Sequence, residues 1–61
     1  MKPECNLIGQ DGNIFNLIGI ARKALKRAGL DDQAKEMQER CFKAESYDEA
    51  LRIIMEYVEV N

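Results

Sequence analysis

Four cations, Arg22, Lys23, Lys26 and Arg27, crowd into one short run and are the strongest charged feature of this sequence. Held together on one surface they suit a polyanion such as a nucleic-acid backbone, with binding that falls steeply with salt. They suit a solvated or internally paired face just as well. In a helix-turn-helix the next helix would be the reader, and here it carries Asp31, Asp32, Glu36 and Glu39, which phosphates repel.

The second cluster is the turn Gly9, Gln10, Asp11, Gly12 and Asn13, followed by Ile14 and Phe15. Its small and amide residues tolerate positive φ, and a helix start just after it leaves backbone N–H groups free for an anion. The acidic Asp11 at that mouth opposes phosphate. A calcium loop counted from Asp11 fails, because Phe15, Asn16 and Arg22 stand where an oxygen ligand, a glycine and a glutamate are needed. The G-x-x-G spacing is similar to the RNA clamp of KH domains, but only eight residues precede Gly9. The plain reading is a turn that launches a helix.

Other reactive groups are few. The chain has no His, Thr or Trp, and Ser46 is its only serine, so acid–base chemistry would rest on carboxylates such as Asp31 with Asp32 and Asp48 with Glu49. Those pairs are equally well placed as helix caps and first-turn acids. Cys5 and Cys41 are too few for a disulfide-dependent mini-protein and read as reduced thiols, Cys41 on the apolar side of a helix. No catalytic residue, metal ligand or cofactor is expected, and the function class is non-enzymatic.

The elements that must position these groups follow from periodicity. The apolar run 5–8, between Pro3 and Gly9, predicts a short strand. Apolar positions 14, 17, 18, 21, 24, 25 and 28 predict a first helix over 14–28, with Asn13 as its N-cap and Gly29 as its left-handed stop. Its apolar stripe spans about 120° and the four cations about 140° on another side. Gly19 lies within it and suggests close approach by another backbone. A second helix over about 32–44, capped by Asp31 or Asp32, has a thin stripe of Ala34, Met37, Cys41 and Ala44, with Phe42 at its flank. Ser46 and Glu49 form a capping box ahead of a third helix over 47–57. The alternation at 58–60 predicts a terminal strand beside the first. Of Phe15, Tyr47 and Tyr57, two are expected in the core, and Met37 and Met55 are expected to fill gaps.

With 61 residues the chain holds one domain over 1–61, mainly α (α+β), three packed helices and a two-stranded pairing of the N- and C-terminal segments. Scaling gives about 4,000 Å² of folded surface, with burial worth about 90 kcal/mol against an ordering cost of about 90 kcal/mol. So close a balance leaves no room for a deep pocket. Residues 1–30 hold five basic and two acidic groups and residues 31–61 four and nine, a split that serves a partner or the packing of one half on the other. No 18-residue apolar run exists and Met1 leads directly into Lys2, Pro3 and Glu4, so no membrane span or signal peptide is expected, and the expected compartment is the cytoplasm.

The run 5–30, with the stretches AKEM at 34–37, SYDEAL at 46–51 and EYVEV at 56–60, resembles a family of short hypothetical bacterial proteins often encoded near phage or conjugative-element genes. The most specific part is the L-I-G-x-D-G-N-x-F motif, in which Gly9, Asp11, Gly12, Asn13 and Phe15 are the recognisable positions. The resemblance implies no activity, substrate or cofactor, and slightly favours a role in an assembly or in nucleic-acid handling. The expectation is an interaction module for another protein or a second copy, acting through the ribbon edge or the face around Phe15. The alternative is a nucleic-acid-binding accessory protein using Arg22, Lys23, Lys26 and Arg27. No small-molecule substrate is expected.

Overall fold

The computed structural model describes residues 2–61 as three helices and a two-stranded ribbon: β1 (Glu4–Cys5), α1 (Ile14–Arg27), α2 (Asp31–Phe42), α3 (Tyr47–Tyr57) and β2 (Glu59–Val60). The architecture is mainly α, three packed helices with a parallel pairing of the two ends. Its accessible surface of 4206 Å² matches what chain length alone requires of a folded domain.

Local chemistry sets each helix boundary. Asn13 caps α1 by accepting from the Phe15 N–H at 2.9 Å. At the other end Gly29, with φ +78°, turns the chain so that the Gly29 N–H donates to the Lys26 carbonyl and the Leu30 N–H to the Leu25 carbonyl. This is a Schellman closure, and Leu30 folds back against the core. It leaves Leu30, not an aspartate, at the N-cap of α2 with no side-chain cap. The expected cap is thereby corrected: Asp31 and Asp32 sit in the first turn, favoured there by the positive end of the helix dipole. At α3 the Ser46 Oγ accepts from the Glu49 N–H at 3.1 Å, while the Glu49 carboxylate accepts from the N–H of Glu45 instead of Ser46. The capping box is present with its return arm moved back by one residue.

The ribbon differs from the sequence expectation in length. Instead of a strand over 5–8, only Glu4 and Cys5 pair, with Glu59 and Val60. The Glu59 N–H donates to the Pro3 carbonyl and the Asn61 N–H to the Cys5 carbonyl, and a longer 3.3 Å bond from the Ile8 N–H to the Asn61 carbonyl ends the association. The chain then enters a turn, with Gln10 N–H on the Leu7 carbonyl and Gly9 at φ +83°. So short a ribbon contributes little by itself. It is held because Cys5, Leu7 and Val58 are buried against the helices.

Leu17, Ile18, Ala21, Ala24 and Leu25 of α1, Ala34, Met37 and Cys41 of α2, and Ile53, Ile54 and Tyr57 of α3 complete that core. Ala21 and Ala24 of α1 and Ala34 of α2 are its small members. The aromatic expectation is corrected here: Tyr57 is buried, whereas Phe15, Tyr47 and also Phe42 are exposed. Met37 fills the core, but Met55 is half exposed.

Candidate interaction face

Phe15, on the first turn of α1, lies one position beside the buried stripe, and Phe42, on the last residue of α2, lies one position beyond Cys41. Both therefore point away from the core. Their exposures are 69% and 57%, and their ring centroids stand 6.2 Å apart at a tilt of 52°. Below the rings a depression of about 200 Å³ runs between α1 and α2, lined by Phe15, Ile18, Gly19, Arg22, Gln38 and Phe42. Gly19 forms an opening in this lining, since a Cβ there would meet nothing within 4 Å. The expectation that Gly19 admits another backbone is overturned. Its missing side chain faces open space.

The motif turn holds the start of α1. The Asp11 carboxylate accepts from the Asn13 N–H at 3.0 Å, the Asn16 amide donates to the Asp11 carbonyl at 2.9 Å, and the Tyr47 hydroxyl donates to the Gly12 carbonyl at 2.7 Å. Positive φ occurs at Gly9 and not at Gly12. Gly9, Asp11, Gly12 and Asn13 thus build a rigid launch for α1 and tie it to the start of α3, while Phe15 is the member that reaches solvent.

The four cations have different surroundings. Arg22 is half buried and its Nη1 donates to the Gln38 Oε1 at a long 3.4 Å. A second depression continues from Arg22 and Gln38 past Lys26 to Asp31, Asp32 and Lys35. Arg27 lies toward β1 instead, where its charge acts on Cys5. Lys23, Lys26 and Arg27 are exposed, and among the described residues the one ion pair, Arg40 with Glu56, involves none of the four.

That pair belongs to a network between α2 and α3. Arg40 grips Glu56 with both guanidinium nitrogens, at 2.9 and 3.2 Å, and also donates to the Tyr57 hydroxyl at 3.1 Å. Tyr57 in turn donates to Glu36. The hydrogen bond from Arg40 holds the Glu56 carboxyl below its ordinary pKa. Burial pushes the Tyr57 hydroxyl up, donation to Glu36 adds to this, and Arg40 opposes it. Partners sixteen or more residues apart on different helices leave no sequence signal, whereas the Phe15–Phe42 pair had a weak one in two aromatics beside their stripes.

Cys5 and Cys41 are free and buried, and burial pushes both thiols up, away from the reactive thiolate. Among the described residues no group of three His, Cys, Asp or Glu is arranged to hold a metal, and no helix is long and apolar enough to cross a membrane. The depression on the outer face of α2 is lined by Asp32, Lys35, Glu36, Glu39, Arg40 and Lys43, a solvated mixture of charges. No protein-family model, curated protein or solved structure matches the chain, so the roles of its residues rest on geometry and chemistry.

Proposed function

We propose that this chain is a small non-enzymatic interaction module that docks another protein or a second copy of itself on the face formed by Phe15 and Phe42. The observation that carries this reading is the placement of two exposed phenylalanines, from different helices, over a depression that Gly19 leaves open. Leaving a Phe in water instead of burying it forgoes about 1.5–3 kcal/mol, and buried aromatic anchors dominate binding energy at interfaces. The resemblance of the Gly9–Phe15 motif to short bacterial proteins encoded near mobile elements fits an accessory part of an assembly. The two unpaired thiols suit a reducing compartment, the cytoplasm.

The test is capture of partners from a bacterial lysate by the wild-type chain and by the Phe15→Ser, Phe42→Ser double variant, alongside sedimentation of both at micromolar concentration. Species, or a self-associated mass, retained by the wild type and lost by the folded variant support the reading. Identical behaviour of the two rejects this face.

The exposed and unpaired state of Lys23, Lys26 and Arg27 favours a second reading, nucleic-acid binding. Four phosphate contacts give a log–log salt slope of about −3 to −4 on duplex probes. No binding at low salt, or binding unchanged when Arg22, Lys23, Lys26 and Arg27 are replaced by Ala, removes that reading.

A further inference from the structure

Resting on the docking reading above, we infer that the occupant of the α1–α2 groove is an amphipathic helix of another protein that carries one acid beside its apolar anchor, with the anchor against the Phe15–Phe42 pair and the carboxylate on Arg22. The groove has two chemically distinct parts joined at Arg22 and Gln38. The first is floored by Ile18 and Gly19 and walled by the two phenylalanines, so it takes an apolar side chain. The second carries Arg22, Lys26 and Lys35 against Asp31 and Asp32, and Lys23 adds a further cation on α1.

Arg22 decides the sign of the ligand. It is half buried, its one side-chain hydrogen bond is the long one to a neutral amide, and no carboxylate pairs with it among the described residues. A guanidinium presents five donors in a planar fork that matches a carboxylate, and most of these are unused here. A partner carboxylate beside apolar surface gains from both the charge and the partial exclusion of water. Asp31 and Asp32 lie farther along the groove and exclude a ligand that is acidic throughout, which favours a single acid next to an anchor.

Spacing follows from the helix. Gly19 and Arg22 are three residues apart on α1, so the two positions stand about 5–6 Å apart on the same helix face. A partner helix lying along the groove meets both when its apolar anchor and its Asp or Glu are at i and i+3 or i+4, the register by which amphipathic helices fill grooves.

The experiment selects a displayed library of alanine-based helical peptides, randomised on one face, against the wild-type chain with counter-selection on Gly19→Leu. That variant keeps the fold, since position 19 is open and Leu is a good helix former, while its side chain fills the floor. Enriched peptides are expected to carry a large apolar residue and an acid three or four positions apart. They should bind at least tenfold more weakly to Arg22→Glu, and an acid-to-lysine peptide should recover that loss on Arg22→Glu. Arg52→Ala, on α3, should bind as the wild type does. Peptides that need Phe15 and Phe42 but ignore the Arg22 reversal overturn the acidic assignment and leave the docking reading intact. Enrichment of nothing that distinguishes wild type from Gly19→Leu overturns the helix assignment, and the Phe15→Ser, Phe42→Ser comparison then judges the docking reading alone. A dimer abolished by Gly19→Leu gives the groove to a second copy and overturns its assignment to a helix of another protein, while the docking reading stands.

Discussion

Arg40 and Glu56 face each other fork to fork, with Nη1 on Oε1 at 2.9 Å and Nη2 on Oε2 at 3.2 Å, and this pairing fastens α2 to α3 at the surface. It depresses the Glu56 pKa. A group with a depressed folded pKa stabilises the fold above its unfolded pKa and loses that contribution as pH falls through the folded value. Glu56→Gln is therefore expected to lower the melting temperature modestly at pH 7, with the gap to wild type closing below the ordinary glutamate pKa of 4.5. Thermal melts of both proteins from pH 7 to pH 2 check this. Because both partners are solvated, a large effect at pH 7 would mean the pair does more than a surface bridge.

Tyr57 has the opposite sign. Its pKa is raised from 10.0 by burial, so the neutral hydroxyl stabilises the fold fully below pH 10 and the contribution is lost as pH rises through the folded value. Tyr57→Phe removes the donation to Glu36 and the bond from Arg40, so it is expected to melt lower than wild type at pH 8 and to lose less stability above pH 10. Alkaline denaturation followed by circular dichroism, with tyrosine absorbance as the titration readout, distinguishes the two. Parallel curves above pH 10 would show that Tyr57 ionises without cost to the fold.

The same substitution at two glycines should move stability in opposite directions. Gly19 is inside α1 with open space around it, so Gly19→Ala is expected to stabilise by about 0.4–1 kcal/mol through the unfolded chain. Gly29 holds φ +78° in the Schellman closure, and Gly29→Ala is expected to destabilise by about 1–2 kcal/mol. For so small a domain either change shifts the melting point by several degrees. Urea titrations of the two variants read both signs directly.

Cys5 and Cys41 should resist thiol reagents in the native state. Both are buried and both thiols are held in the protonated form by that burial. An aromatic disulfide reagent at pH 8 is expected to react with neither until denaturant is added, and then with both. Prompt reaction of one thiol without denaturant would show that its cover opens locally, with Cys5 under the short ribbon as the first to check.

What was legible in the sequence is what short-range chemistry dictates. Asn13, Gly29 with Leu30, and Ser46 with Glu49 act over five residues or fewer, and each sets a helix boundary within a residue or two of its expected place. The sequence overextends the strand because Leu7 and Ile8 continue the apolar character of Cys5, although Leu7 is buried by the helices and not by ladder pairing. Phe15 was legible as a candidate and Phe42 as a flanking residue. Their meeting was not, because it depends on how α1 and α2 align. The surroundings of Gly19 are illegible for the same reason: a missing side chain in a sequence does not tell whether the space is filled by a neighbour or left open.

The parallel ribbon sets an order of events during synthesis. The Glu4 carboxylate accepts from the Asn61 amide, its partner 57 positions along the chain, and the backbone ladder beside it joins residues nearly as distant. At about 5–20 residues per second, roughly 3 to 11 s pass between the emergence of the first partner and the second. Until the last residues are in place, Cys5 and Leu7 lack the cover that Val58 and the β1–β2 pairing complete. A chain cut before residue 59 thus keeps all three helices but exposes the apolar flank that Cys5 and Leu7 form beneath the ribbon.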